Sequence, residues 1–281
     1  MNVNFNPAFK AQYKYSTNKQ LAQPKFDTVS FGSTTRIGGP GRQNTTAVRD
    51  DLDWGGLAER IINDYKNKSR VNIFSFACSD GTEPYAVAIN LLKKIEEEQH
   101  KLYIVFKNKQ TMQQQKEKFL PIYASDIDPF MIENCCESGL LGLYPKDVEK
   151  LGQKNLDRFL TKTDKALTCP PQWGEKGDEI RNYQISDELK EAVKFRVGDM
   201  LKDIRTIKDE GNSVVMCRNV LPHLGFMYHE VVTSVSRALK KGSLFVIGDY
   251  DTKEIPGLKN TLEIYDFKEI QRNVFRKIRD F

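Results

Sequence analysis

The sequence of 281 residues lacks the marks of several large classes of protein. No apolar run approaches the roughly 18 residues that a membrane-spanning helix requires. The opening residues, MNVNFNPAFK, lack the apolar core of a secretory signal peptide. The five cysteines are odd in number and form no CxxC pair, which disfavours both a zinc site and a disulfide framework. These absences predict a cytoplasmic protein with reduced thiols and no membrane insertion.

A basic surface of the kind that binds nucleic acid is also absent from most of the chain. Residues 1–50 hold seven basic and two acidic residues, which accounts for the whole net charge of +5. The other 231 residues hold 36 residues of each sign, so we expect no nucleic-acid partner. Residues 1–44 are polar and lack apolar periodicity, which predicts a flexible or disordered basic tail. The cluster GGPG at 38–41 marks its boundary with a single folded domain at 45–281.

The stretch at 71–92, VNIFSFACSDGTEPYAVAINLL, organises that domain. An apolar, strand-forming run leads into a short turn at 78–81, and a run with helical spacing of apolar residues follows. This pattern is typical of the first strand, turn and helix of a doubly wound α/β sheet. Such a turn presents the first N–H groups of the helix to a ligand at the carboxyl end of the strand.

Further apolar runs predict the remaining strands, at 120–127, 193–198, 212–217 and 244–250, and residues 273–278 alternate like a last antiparallel strand. Predicted helices lie at 52–66, 82–98, 129–138, 146–161 and 226–239. Residues 99–118 are expected to form a polar surface insertion, and 163–178 a turn-rich segment outside the core. The predicted fold class is α/β, with a doubly wound, mostly parallel sheet and an antiparallel last strand. The parallel strands should end near 78, 126, 199, 218 and 249, along one edge.

The turn at 78–81 holds a single glycine, Gly81, so the G-x-G-x-x-G motif that admits a pyrophosphate is missing. Acids follow the strands instead. Asp126 is placed to accept from both ribose hydroxyls, Asp199 to meet an adenine edge, and Glu83 to accept from a ligand ammonium. A nucleoside that carries an amino acid and no phosphate is S-adenosylmethionine, the predicted cofactor. Each acid alone could instead be a helix N-cap or a surface residue.

The acids stand on separate strand ends rather than at the spacing of metal ligands. We therefore expect the cofactor to bind without a divalent metal ion.

Four blocks follow one another at ordered places in the sequence: TTAVRDDLDW at 45–54, ACSDGTEPY at 77–85, SDID at 125–128 and CRNVL at 217–221. They resemble the T-x-F-F-R-[DE], C-S-x-G-E-E-P-Y, [ST]-D-I-D and C-R-N-V-[LM] motifs of the CheR-type chemotaxis-receptor glutamate O-methyltransferases. That family belongs to the class I S-adenosylmethionine-dependent methyltransferases. The resemblance spans residues 45–281.

The resemblance implies a role for each matching residue. Thr45 and Arg49 would reach the methionine end of the cofactor, and Asp199 and Met200 replace an Asn-Leu pair beside the adenine. The full set of predicted cofactor-binding residues is Thr45, Arg49, Cys78, Gly81, Glu83, Asp126, Asp199, Met200, Arg218 and Asn219. Arg49 and His223 are the predicted catalytic residues. Taken alone, Arg49 could be no more than a surface ion pair.

The sequence departs from the family pattern at several places. The family normally carries a helical N-terminal domain, whereas a polar tail precedes Thr45 here. His223 stands where the family has its active-site tyrosine and would orient the acceptor or cap the site. Thr82 replaces the first glutamate of E-E-P, and Ala47 and Val48 replace the two phenylalanines before the arginine.

The resemblance implies the formation of methyl esters on protein glutamate side chains. The expected partner is a chemoreceptor or another glutamate-bearing protein, and we expect the enzyme to be a monomer. On the sequence alone, two alternatives stand beside this function. One is a small-molecule methyltransferase, and the other is a non-catalytic module that binds S-adenosylmethionine or docks a partner.

Overall fold

A computed structural model describes residues 49–106, 112–167 and 180–281. Within these ranges, no helix combines the length and apolar character needed to cross a membrane. The predicted tail at 1–44 and Thr45 lie outside the described residues, as does part of the predicted turn-rich segment at 163–178.

The described residues form ten strands in two sheets. Numbered in chain order, they are β1 (Asn72–Phe76), β2 (Ile122–Asp126), β3 (Leu140–Leu143), β4 (Leu160–Lys162), β5 (Arg181–Ile185), β6 (Val193–Val197), β7 (Ser213–Met216), β8 (Leu244–Val246), β9 (Phe267–Gln271) and β10 (Val274–Lys277). The main sheet has the order β6-β2-β1-β7-β8-β10-β9. The pairs from β6 to β8 are parallel, and β10 runs antiparallel to both of its neighbours. The predicted doubly wound sheet and its antiparallel last strand are therefore confirmed.

The sequence did not predict the second sheet, in which β5 pairs antiparallel with β3 and β4. The predicted helix at 146–161 is wrong at its end, because the chain turns into β4 at Leu160. These strands are three to five residues long, and β5 carries the polar sequence RNYQI. Strands this short leave no clear apolar alternation to recognise.

Ten α-helices lie between and beside the strands of the described chain. They are α1 (Trp54–Asp64), α2 (Thr82–Phe106), α3 (Met112–Phe119), α4 (Pro145–Leu151), α5 (Gln153–Phe159), α6 (Asp187–Glu191), α7 (Met200–Ile204), α8 (Tyr228–Ala238), α9 (Asp249–Glu254) and α10 (Leu258–Ile264). A π-helical turn spans Met131–Cys136, and a 3₁₀ helix spans Leu221–Met227. Part of the predicted polar surface insertion at 99–118 is helical, since α2 continues to Phe106 and α3 spans Met112–Phe119. Residues 112–118 are exposed or half-buried, whereas Phe119 packs into the core.

The main sheet is covered on both faces, which explains why its central strands are apolar throughout. Val214 and Val215, successive residues of β7, belong to two different buried clusters. One cluster joins a face of the sheet to α1 and α2, and the other joins the opposite face to α8 and α10. This packing fixes the strand ends and leaves the loops at the carboxyl edge available for a site.

Candidate cofactor-binding site

The carboxyl ends of five parallel strands meet along one edge of the main sheet. The central strand β1 lies between β2 and β7, whose chain connections lead to opposite sides of the sheet. This reversal of strand order is the place where open α/β sheets bind ligands. The predicted convergence of strand ends on one edge is confirmed.

The turn after β1 is built from residues in unusual backbone conformations. Ala77 has a φ of 53° and Ser79 has a φ of 51°. Both values lie in the left-handed region, which residues other than glycine seldom adopt. The turn is secured at Asp80, whose Oδ1 accepts the N–H of Thr82 at 3.0 Å. Backbone strain of this kind persists only where the surroundings enforce it, and it is concentrated at ligand-binding sites.

Gly81 has a φ of 80°, and its neighbours leave no room for a side chain. A Cβ at this position would lie 2.9 Å from Cζ of Phe195 and 3.1 Å from Sγ of Cys136. Backbone conformation and packing therefore both require glycine here. The contact of Gly81 with the cofactor stays a prediction.

Asp126 ends β2 with a half-buried carboxylate that is fixed by backbone donors. Its Oδ2 accepts the N–H of Ser79 at 2.8 Å, and its Oδ1 accepts the N–H of Asp128 at 3.0 Å. Burial raises the pKa of Asp126, although these two N–H groups oppose the shift. Each carboxylate oxygen can accept a further hydrogen bond, so the group retains capacity for a ligand diol. Asp128 instead accepts the N–H of Phe130 at 2.9 Å and caps the following turn.

An exposed apolar edge adjoins Asp126, and the sequence did not indicate it. Ile127, directly after β2, is 69% exposed, and Val197, which pairs with Asp126 across the strands, is 46% exposed. A carboxylate beside apolar side chains suits a nucleoside, whose ribose is polar and whose base is flat and weakly solvated. The accepting carboxylate and the apolar side chains at this edge therefore fit S-adenosylmethionine.

Asp199 follows β6, next to the end of β2. Its Oδ1 accepts the N–H of Leu201 at 3.0 Å and caps α7, while Lys202 Nζ lies 3.4 Å from Oδ2. Met200 is the first residue of α7 and is half-buried. Asp199 is therefore a helix N-cap, which is one of the roles that the sequence allowed for it. Its contact with adenine, and that of Met200, stay predictions.

A buried charge cluster lies on the side of β1 opposite to Asp126. It is composed of Arg49, Asp51, Glu83 and Arg218. The side chain of Arg218 is 0% exposed. Its Nη1 donates to Oε2 of Glu83 at 2.7 Å, and its Nη2 pairs with Oδ1 of Asp51. The guanidinium also lies over the indole ring of Trp54, with Cζ 4.7 Å from the ring centroid.

Arg49 belongs to this cluster rather than to the open surface. Burial lowers the pKa of its guanidinium, and the charge of Glu83 opposes this shift more strongly than that of Asp51. The indole N–H of Trp54 donates to the carbonyl oxygen of Arg49 at 3.0 Å and holds the segment against the core. Arg49 and Glu83, both predicted to bind the cofactor, thus lie near each other, and their contact with the cofactor stays a prediction. The sequence gave no sign that Asp51 would join them.

Burial raises the pKa of the Glu83 carboxylate, and the charges of Arg218 and, more weakly, Arg49 oppose this shift.

Cys78 supports the site through its backbone, since its N–H donates to the carbonyl oxygen of Ser125 at 3.1 Å. A hydrogen bond with Cys136 lowers the pKa of the Cys78 thiol, but burial and the charges of Asp126, Asp80 and Glu83 together outweigh it, so the net shift of the pKa is upward. Cys78 is therefore poorly suited to act as a nucleophile.

Asn219, which follows Arg218, takes a φ of 56°. Its N–H donates to Oδ2 of the fully buried Asp251 at 2.7 Å, and its Oδ1 accepts the N–H of Tyr250 at 3.1 Å. Gly248 makes room for this side chain, because a Cβ there would lie 2.0 Å from Asn219 Oδ1. Asp251 also accepts the N–H groups of Gly248 at 2.7 Å and Leu221 at 3.0 Å. It therefore fixes the loop after β7, a role that only the acid-rich GDYD sequence after β8 could have suggested.

His223 lies in the 3₁₀ helix that continues this loop. Its ring is 5.5 Å from the ring of Tyr250, measured between centroids. Burial lowers the pKa of His223, which favours the neutral form of its imidazole. A neutral imidazole can donate or accept a single hydrogen bond to a bound group. The sequence identified His223 but not its neighbour Tyr250.

In the part of the chain that the structure describes, no three His, Cys, Asp or Glu side chains come together to hold a metal ion. The four cysteines in these ranges, Cys78, Cys135, Cys136 and Cys217, are free and buried.

A doubly wound sheet with this strand order, an acid at the end of β2 and a first turn without phosphate-binding glycines defines the class I S-adenosylmethionine-dependent methyltransferase fold. Residues 43–269 match the family described as "CheR methyltransferase, SAM binding domain". The chain belongs to this family, and the predicted cofactor is the ligand that the family's description names.

Two curated relatives are both named chemotaxis protein methyltransferase. The protein from Listeria innocua is 26% identical over 192 residues, which cover 67% of this chain and 56% of that protein. The protein from Vibrio anguillarum is 26% identical over 225 residues, which cover 78% of this chain and 68% of that protein. The chain thus spans little more than half the length of the Listeria relative. Among solved structures, a TehB-like methyltransferase from Corynebacterium glutamicum aligns with 80% of this chain and 89% of its own, at 13% identity and a TM-score of 0.36.

Proposed function

We propose that this chain transfers a methyl group from S-adenosylmethionine to glutamate side chains of a protein, forming methyl esters. The observation that carries the proposal is the union of two features at one sheet edge. Asp126, beside the apolar Ile127, suits the nucleoside, and the buried charge cluster suits the amino-acid end of the cofactor. The names of the Listeria and Vibrio relatives support the same activity.

Each part of the site would hold one part of the cofactor. Asp126 accepts from the ribose hydroxyls, and Ile127 covers a face of the adenine. The Oε1 atom of Glu83 accepts from the ammonium, since Oε2 is already bonded to Arg218. Arg49 donates to the methionine carboxylate or to the acceptor carboxylate, two planar anions that fit its fork of N–H groups.

The cofactor supplies a methyl group on a sulfonium centre, and the protein aligns and shields the reaction. A glutamate acceptor is ionised at pH 7 and needs no general base. The neutral His223 would donate a hydrogen bond that orients the acceptor carboxylate, with Tyr250 supporting its ring. Alignment of the reacting atoms and exclusion of water are then the main contributions of the site.

A labelling experiment tests this function. The full chain is incubated with S-adenosylmethionine labelled in its methyl group and with a lysate that contains chemoreceptors. A protein band whose label is released by mild base supports a methyl ester on a carboxylate. Label in small molecules only, or no transfer despite cofactor binding, would reject the proposal in favour of one of the two alternatives. An Asp126→Ala variant controls for transfer by contaminating enzymes.

The partner and setting of the enzyme are part of this proposal. A chemoreceptor is the proposed substrate, because the relatives carry the word chemotaxis in their names. A cytoplasmic location and a monomeric state stay predictions from the sequence.

A further inference from the structure

The buried charge cluster contains an arginine that the cofactor has little means of reaching. The side chain of Arg218 is 0% exposed, whereas those of Glu83 and Asp51 are 14% and 11% exposed. Both terminal nitrogens of its guanidinium already pair with these carboxylates, and its face lies on Trp54. A ligand that enters at the carboxyl edge would therefore meet Glu83 before it could meet Arg218.

The bond from Arg218 determines what Glu83 can offer. It occupies Oε2 and orients the carboxylate, which leaves Oε1 for a further donor. It also supplies a positive charge beside a carboxylate whose burial favours protonation. Only an ionised glutamate can accept fully from a ligand ammonium.

The second bond of Arg218 holds the entry segment, residues 49–54. Asp51 pairs with Arg218 through Oδ1, and its Oδ2 accepts the N–H of Asp249 at 3.0 Å. The carbonyl oxygen of Asp51 also accepts from Nδ2 of Asn273 at 2.9 Å. One guanidinium thus joins the entry segment, which carries Arg49, to the glutamate at the start of α2.

We propose that Arg218 is a positioning residue that acts on the cofactor through Glu83 and the entry segment, and not through direct contact. This inference rests on the proposed function only in taking Glu83 as the acceptor for the ligand ammonium. It departs from the role that the resemblance implies, in which Arg218 is a cofactor-binding residue. The rival arrangement is direct contact through Nε, which has no hydrogen-bond acceptor among the described residues.

A double-mutant cycle separates the two arrangements. Affinity for S-adenosylhomocysteine is measured by calorimetry for wild type, Glu83→Gln, Arg218→Gln and the double variant. We expect each single change to weaken binding by about ten- to a hundred-fold, as for the loss of one charged hydrogen bond. The double variant should bind more tightly than the product of the two single losses predicts, because part of the effect of Arg218 passes through Glu83. Losses that multiply in the double variant would overturn the proposal.

A second ligand distinguishes positioning from general damage to the fold. Methylthioadenosine keeps the nucleoside and lacks the amino-acid part, so its affinity should be unchanged in all three variants. Equal losses for both ligands in Arg218→Gln would show a structural role and contradict the inference. Should Arg218→Gln fail to fold, Arg218→Lys serves in the same cycle, since it retains a charge for Glu83. Arg205→Gln, which breaks an exposed pair with Glu230, is the matched control.

The inference and the proposed function can fail separately. If the wild-type chain does not bind S-adenosylhomocysteine, the proposed function itself is rejected. If it binds and the losses in the cycle multiply, only the role of Arg218 is rejected. Asp51→Asn adds an independent check, because it should speed tryptic cleavage after Arg49 and leave methylthioadenosine binding intact. Unchanged cleavage in that variant would contradict the part of the inference that concerns the entry segment.

Discussion

Asp126 ends β2 and Arg218 lies just after β7, the two strands that flank β1, yet the protein holds these residues in different ways. Asp126 is half-buried and is fixed by backbone N–H groups, one of them only two residues away. Arg218 is fully buried, and its partners Glu83 and Asp51 lie 135 and 167 residues away in the chain. The first arrangement keeps a charge available to a ligand, while the second uses charges to join distant segments.

This difference predicts whether a substitution mainly lowers the stability of the fold or the affinity for the ligand. Loss of a buried pair leaves an uncompensated charge in the interior, which costs stability. Loss of a half-exposed acceptor such as Asp126 leaves its backbone donors close to water, so affinity for the ligand should suffer more than the fold.

The largest expected effect is on the stability of Arg218→Met. This change removes the guanidinium with which Glu83 and Asp51 pair in the interior. We expect the free energy of unfolding to fall by about 3–5 kcal/mol. Denaturant unfolding measures it. Arg205→Met removes an exposed pair with Glu230 and should cost at most about 1 kcal/mol. Similar losses for the two variants would contradict the distinction between buried and exposed pairs.

The next effect concerns Arg49→Ala, which removes a guanidinium but not the backbone contact to Trp54. We expect methyl transfer to fall by roughly a hundred-fold, because the carboxylate it would align is misplaced. The melting temperature without ligand should change little. Arg49→Lys should recover little activity, since a point charge does not reproduce a fork of donors. Transfer at the wild-type rate by Arg49→Ala would place this residue outside the site.

Some of the residues behind these predictions could be recognised from the sequence, and others could not. The strand ends and the positions of the acids Glu83 and Asp126 could be predicted, because each follows a local pattern of strand, turn and helix. Arg49 was indicated only by the resemblance of the block at 45–54 to a family motif. Asp51 and Asp251 could not, since their roles depend on contacts that only the folded chain creates. The exposure of Ile127 was also hidden, because an apolar residue after a strand is more often buried.

A smaller effect is expected from Asp251, whose pKa burial raises to about 6 from an ordinary 3.8. A raised pKa means that the folded protein binds this proton more tightly than the unfolded chain. The stability gained from that proton is full below pH 3.8 and is lost as the pH rises through about 6. The free energy of unfolding of wild type relative to Asp251→Asn should therefore fall over this range, by at most about 1.4 kcal/mol per pH unit. Denaturant unfolding of both proteins at several pH values measures it. A relative stability that rises with pH would contradict the shift.

The central claim is that S-adenosylmethionine binds at the carboxyl edge with Asp126 on its ribose. Calorimetric titration of Asp126→Ala and Asp128→Ala tests it most directly, because both remove a carboxylate from the same strand end. Asp128 caps the following turn, so its loss should leave affinity close to that of wild type. Loss of Asp126 should weaken binding by about 1.5–3 kcal/mol, roughly ten- to a hundred-fold. Equal affinities for the two variants would show that the ribose lies elsewhere.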